Sequence, residues 1–258
     1  MEIKWFGTAT LSFSSGDESI LFDPFLPLNS RLPSPSIEEL AALGDIFITH
    51  GHFDHLMHVS QVVQAGEAVV YCCKTAAESL YREGVPKNRV VIVKPGDKFE
   101  KGPFEITVYK GMHIRFDLPL IIKTLISRRC LSNFSALRML LKESKRYPEG
   151  EVLVYRIVAD GKTVLHMGSL NLDSSENYPA GPDLLALPVQ GRSDLDSYAL
   201  KFIECLKPKA LYLHHFDDAF PPVSSPVDTA SFVDKVAREY PGLPVIIPSF
   251  REAVVIRA

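Results

Sequence analysis

The chain is predicted to form an α/β fold, and three observations carry that expectation. Short β-rich runs alternate with helical patterns up to residue 115. The same alternation resumes after residue 150, so the chain has two β-rich halves with helices between their strands. Hydrophobic residues make up 46% of 258 positions, enough for a substantial core and too many for wholesale disorder. Chains of this length and class commonly form one unit, so residues 1–258 are read as a single domain carrying one insert.

The elements follow in order. Strands are expected at Ile3–Phe6, Ser19–Phe22, Ile46–Thr49, Ala68–Tyr71, Val90–Val93 and Phe104–Tyr109, where β-branched and aromatic residues cluster between turn signals. Ser36 opens a helix as N-cap, with Glu38 and Glu39 in the first turn where the helix dipole favours acids. Lys74–Glu83 is a second helix, stopped by Gly84 and Pro86. Val152–Val158 and Thr163–Met167 form a hairpin around Asp160-Gly161. A strand at Leu184–Val189, a helix at Asp194–Leu206, a strand at Ala210–Leu213 and a helix at Pro226–Tyr240 follow, with final strands near Val245 and Val254. No repeat of 20–50 residues is visible.

Composition narrows the setting. A net charge of −3 does not point to nucleic acid. Cys72, Cys73, Cys130 and Cys205 have neither metal-binding nor disulfide-framework spacing, which fits a reducing compartment. Met1 to Lys4 runs directly into a strand pattern with no signal sequence, and no apolar run reaches the ~18–20 residues of a membrane span. A cytoplasmic location is the expectation.

Chemistry concentrates in His50-Gly51-His52-Phe53-Asp54-His55, directly after the apolar run Ile46–Thr49. Three imidazoles and a carboxylate are poor core material and good ligands for zinc and its first-row neighbours. His50 and His52 project to one side of an extended segment, Asp54 repeats the spacing, and His55 turns aside where the chain bends into a helix.

With this H-x-H-x-D-H motif the chain resembles the metallo-β-lactamase superfamily, in particular its lactonase and phospholipase D type members. Ile3–Ala9 followed by Ile20–Leu26 looks like the family's opening hairpin, and Asp23 matches an Asp that buttresses the site. Gly111-Met112-His113 falls where the family places its third histidine, and Ala210–Phe216 looks like the late strand that delivers the last. The resemblance implies a four-layer αββα sandwich with metals at one edge between the sheets. It implies that His50, His52 and His113 bind a first metal, and Asp54, His55 and His215 a second. Adjacent strand residues face opposite sides, so His214 and His215 compete for one role; Phe216 favours His215, because the family often has an aromatic after its ligand. Three histidines plus water lower the water's pKa to about 7, and Asp54 is the candidate catalytic base. Hydrolysis of an ester, lactone or phosphodiester by a metal-bound hydroxide is what this arrangement implies.

Two positions depart from the pattern. Ser169 stands where the family has an Asp that bridges two metals, and Thr8 stands where the nearest-looking members have His. A neutral Ser leaves the sites unequal, so one tightly held zinc is expected, with a second weak or absent, and manganese as an alternative. Asp173 is a poor replacement because loop carboxylates are usually solvated. His166, three residues before Ser169, has the opposite strand parity and reads as structural. His58 is either a helper of His55 one turn away or a solvated helix residue. Gln190 and Arg192 end a strand and are candidates for the pocket mouth; Arg192 either binds an anionic group or is simply exposed.

Residues 115–146 stand apart. Eight basic residues against two acidic ones give this stretch +6, so the remainder of the chain carries −9. An apolar, basic insert directly after His113 reads as a helical lid. It is either an amphipathic hairpin packed on the body, or a surface for an anionic or lipid-like substrate or for peripheral membrane contact. The leading functional expectation is a metal-dependent hydrolase acting on a small-molecule or lipid-like substrate. The alternative is a metal-binding but catalytically degenerate binding or regulatory module, which Ser169 keeps open. A nuclease is disfavoured by the acidic body, and a flavin-coupled di-iron oxidoreductase by the short chain.

Overall fold

Two half-chains build two seven-stranded sheets by the same plan. The computed structural model describes residues 1–256. In the first half, β1 (Glu2–Trp5), β2 (Leu11–Ser15) and β3 (Glu18–Phe22) form an antiparallel meander. It is extended in parallel by β4 (Asp45–Phe47), β5 (Val70–Cys72) and β6 (Val90–Ile92). The helices α1 (Ile37–Ala41), α2 (Phe53–Leu56), α3 (Val59–Ala65) and α4 (Lys74–Arg82) fall between these parallel strands. In the second half, β7 (Lys98–Lys101), β8 (Phe104–Lys110), β9 (Leu153–Ala159) and β10 (Lys162–His166) form the meander. The insert between β8 and β9 holds α5 (Leu118–Leu125), α6 (Arg128–Ser132) and α7 (Phe134–Arg146). Then β11 (Leu184–Pro188), α8 (Leu195–Tyr198), α9 (Leu200–Leu206), β12 (Leu211–His214), α10 (Ala230–Glu239) and β13 (Val245–Ile246) complete the second sheet in parallel. A last strand, β14 (Ala253–Val255), returns to pair with β1.

Sequence chemistry explains the local choices. Ser36 and Glu39 form a reciprocal capping box at α1. Strands covered on both faces are apolar throughout, as in Leu184–Pro188, all buried. Strand β8 instead alternates, with Phe104, Ile106 and Val108 buried. Between the sheets, Phe22 of the first meets Tyr155 and His166 of the second at ring-centroid distances of 5.3 and 4.9 Å. Outside them, Leu40, Val62 and Leu80 cover the first sheet and Phe202, Phe232 and Val236 the second. This is the four-layer αββα sandwich.

Three expectations need correction. The first hairpin does not join β1 to β3; β2 lies between and pairs with both. Its sequence, LSFSS, is serine-rich, but Leu11 and Phe13 keep the strand period. Strand β7 was missed because Lys-Phe-Glu-Lys has only one apolar residue, as suits a charged sheet edge. The helix expected over Asp194–Leu206 is broken at Ala199 into α8 and α9.

All parallel strands of a sheet end on one side, where ligands of open α/β sheets collect. The carboxyl ends of β3, β4, β8, β10 and β12 release Asp23, Thr49-His50, Gly111–His113, Gly168-Ser169 and His215 along that edge. Among the described residues no helix is long and apolar enough to cross a membrane.

Candidate metal centre

Two trios of donor side chains stand at this edge: His50, His52 and His113, and Asp54, His55 and His215. Within each trio one ligand atom per residue lies within 4.8 Å of the others. Both are spread over the two sheets, since His113 and His215 come from the second and the rest from the β4–α2 turn. The turn is tight. A Cβ on Gly51 would overlap the Pro148 carbonyl, and its N–H donates to Glu149 O at 2.7 Å. His52 is the extended N-cap of α2, and Asp54 and His55 follow in its single turn.

In the first trio His50 Nε2 faces His52 Nδ1 at 3.2 Å, and the His52 and His113 rings are 4.6 Å apart. In the second, His215 Nε2 lies 3.1 Å and His55 Nε2 3.7 Å from Asp54 Oδ2. The His50 and His55 rings are 3.9 Å apart, so the trios share a wall.

The surrounding hydrogen bonds fix which nitrogens are free. Asp23 accepts from Thr49 N at 2.8 Å and Thr49 Oγ1 at 2.7 Å, and its Oδ2 lies 2.9 Å from His55 Nδ1. A carboxylate can only accept here, so His55 carries its proton on Nδ1. Thr49 spends its one proton on Asp23, so its oxygen accepts from His50 Nδ1 at 3.1 Å. His113 Nδ1 donates to Ile114 O at 2.9 Å. In all three rings Nε2 is left with its lone pair, the state a metal ligand requires.

Electrostatics agree with this donor set. Burial, with the neighbouring imidazoles, holds His50 well below the ordinary histidine range. Burial also lowers His52 and His113. Burial raises Asp54, but the His55 and His215 imidazoles outweigh it and keep the carboxyl below the usual range. Burial lowers His55 while Asp23 and Asp54 more than reverse it. His215 Nδ1 is buried without a partner. Imidazole nitrogens converging with an ionised carboxylate make a donor set that fits a divalent metal.

Thr8, Asp23 and His215 have φ of 49°, 44° and 58°, a left-handed conformation rare for residues with side chains. They support one another: His215 N donates to Thr8 O at 2.8 Å, and Thr8 N donates to Asp217 at 3.0 Å. Such clustered backbone strain is typical of sites where geometry is over-determined.

The remaining expected residues are placed as follows. Ser169 Oγ accepts from Ile114 N at 2.9 Å and so tethers the segment carrying His113. Asp173 is engaged with Ser175 and with Lys110 Nζ at 2.9 Å. Arg192 holds Asp194 with both arms at 2.7 Å and stacks on Tyr198, so its guanidinium is occupied within the chain. Gln190 donates to Ser225 O at 3.3 Å. His58 is neither a partner of His55 nor solvated; its Nδ1 accepts from Leu26 N at 3.1 Å, its ring lies on Phe25, and burial lowers it to about 4. His166 and His214 are buried together behind the site, ring centroids 5.3 Å apart.

Three participants were not foreseen. Thr49 sits between Asp23, His50 and His55; its place directly before the motif was the available signal. Asp217, two residues past His215, is buried beneath Thr8. Glu149 Oε2 lies 3.8 Å from His52 Nε2 and from His113 Nδ1; nothing in the turn Pro148-Glu149-Gly150 marks it.

Comparisons with known proteins give the family and the fold. Residues 2–214 match a family model described as a beta-lactamase superfamily domain. A Halobacterium salinarum protein named a metal-dependent hydrolase is 25% identical over 248 residues, covering 92% of this chain and 90% of its own. One of the same description from Rhizobium etli is 29% identical over 114 residues, 44% of this chain and 48% of its own, so that match spans about half of the relative's length. Among solved structures, the metallo-beta-lactamase fold protein YhfI from Bacillus subtilis superposes with a TM-score of 0.67, at 16% identity and 98% coverage of both chains.

Proposed function

Because the chain belongs to the beta-lactamase superfamily, we propose that it is a metal-dependent hydrolase of an ester, lactone or phosphodiester bond in a small or lipid-like substrate. The observation that carries this reading is the pair of adjoining donor trios. His50, His52 and His113 would hold a metal in an open three-histidine site, and Asp54, His55 and His215 a second. When bound, zinc or manganese would supply Lewis acidity and acidify water.

The chain's own groups do the rest. Asp54, kept ionised by its neighbours, accepts the proton released when water attacks. Asp23 and Thr49 hold His55 and His50 in one tautomer. Phe220, 6.3 Å from His215 by ring centroids, packs with Phe25 and Leu140 and keeps one flank of the site dry. Ser169 offers no carboxylate to bridge two metals, and its hydroxyl is already engaged with Ile114 N. The three-histidine site is therefore the tighter one.

The test is hydrolysis of a panel of esters, lactones and phosphodiesters by the full chain. Activity should vanish on chelation, return with zinc or manganese, and fall about 10²–10⁴-fold in Asp54→Asn. Metal-loaded protein that hydrolyses none of the panel, or an Asp54→Asn variant with full activity, would replace this reading with a binding module.

A further inference from the structure

The insert leaves most of its large apolar residues exposed. No residue of α5 is buried, and Leu118, Ile122, Leu125, Ile126, Leu131 and Phe134 are 55–71% exposed. These are not residues waiting to close onto the body, because the insert is already seated. Leu140 of α7 is buried against Phe25, Ala219 and Phe220, Arg129 pairs with Asp218 at 2.6 Å, and Asp117 accepts from Ser193 N at 2.9 Å. So many large apolar side chains exposed on one set of helices mark an interaction face.

Charge identifies what the face meets. Among the described residues no ion pair engages Lys123, Arg128, Arg138 or Lys142, all exposed on the same three helices. A second copy docking by two-fold symmetry would set one +6 insert against another. An anionic surface attracts the insert and repels the −9 body, which orients the molecule insert-first. The face is also continuous with the candidate metal centre. Phe116, 54% exposed at the start of the insert, has its ring 6.1 Å from that of His113.

We propose that α5–α7 dock on an anionic phospholipid bilayer, seating their exposed apolar side chains at the headgroup–acyl boundary and presenting the mouth of the metal centre to lipid. Apolar residues on one set of helices with unpaired Lys and Arg beside them is the composition of an interfacial anchor. The contact is peripheral. It does not depend on hydrolysis, so its failure and that of the proposed function are separable.

The experiment is co-sedimentation of the full chain with vesicles of phosphatidylcholine, with and without phosphatidylglycerol. Partitioning should favour the anionic vesicles by roughly tenfold or more and weaken as salt is raised. Ile122→Asp with Ile126→Asp should abolish it; Lys123→Glu with Arg128→Glu should reduce it by roughly tenfold or more. These side chains are exposed, so thermal melts and metal content should stay at wild-type values. The charge-reversed pair decides the matter if the apolar pair fails to fold. Equal binding to neutral and anionic vesicles, or none to either, overturns the proposal. So does a wild-type dimer by light scattering that Ile122→Asp/Ile126→Asp dissolves without any vesicle binding; the second copy would then be the occupant.

Discussion

At the scale of single residues, Thr49 shows how one hydroxyl can organise a site. Its proton goes to Asp23, its oxygen accepts from His50 Nδ1, and it lies 3.2 Å from His55 Nδ1, whose proton goes to Asp23. Thr49→Val keeps the shape and removes that bridge, so His50 loses the acceptor that fixes its tautomer, and Asp23, which fixes that of His55, loses a donor. Zinc affinity should fall about 10–100-fold, read by competition with a chromophoric chelator. His166 has a different consequence. It is fully buried, neither ring nitrogen has a partner, and burial lowers it to about 4. Above pH 6.5 it is neutral folded or unfolded and costs nothing in protonation. Between 6.5 and 4 the unfolded chain takes up a proton that the fold refuses, so stability falls on acidification by about 3 kcal/mol. His166→Phe should flatten the acid limb of a plot of melting temperature against pH between 6.5 and 4. An unchanged limb would mean that this ring is not held neutral. The H-x-H-x-D-H donors were legible because their chemistry is concentrated in six consecutive residues, but the strand spacing expected of them does not hold: β4 ends at Phe47, and Asp54 and His55 lie in α2. Glu149 and Asp217 were not, because they approach the site only through folding of distant segments.

At the scale of elements, the site depends on turns more than on strands. The β4–α2 turn delivers His50, His52, Asp54 and His55 in opposite senses only because Gly51 lets the backbone press against Pro148 and Glu149. Gly51→Ala must push these segments apart. We expect a loss of about 1–3 kcal/mol in a denaturation curve, with a parallel loss of metal. Wild-type stability and metal content in that variant would show that the close approach is not required. Element periodicity made most strands and α4 readable, and the misses share one cause. Strands β2 and β7 are short and polar, so their pairing comes from neighbours rather than from their own composition. The insert shows the converse limit. Its apolar pattern predicted helices correctly, but whether such a face packs on the body or meets something else depends on tertiary seating. Here Leu140 is buried while α5 is not.

For the whole molecule, each trio draws ligands from both sheets, so a metal would tie the two halves of the sandwich together. Anything bound only to the folded state stabilises it, by about 2.7 kcal/mol at a hundredfold excess over Kd. Removing metal should therefore lower the melting temperature by roughly 5–10 °C for a domain of this size. The trios are proposed as two metal sites of unequal affinity, the three-histidine one tighter. Zinc titration of metal-free protein tests this most directly, with elemental analysis of wild type, His52→Ala and His215→Ala. Wild type should bind one tight and one weak equivalent, His52→Ala should lose the tight one, and His215→Ala only the weak one. Two equally tight equivalents in wild type, or the tight one lost in His215→Ala and kept in His52→Ala, would contradict the proposal.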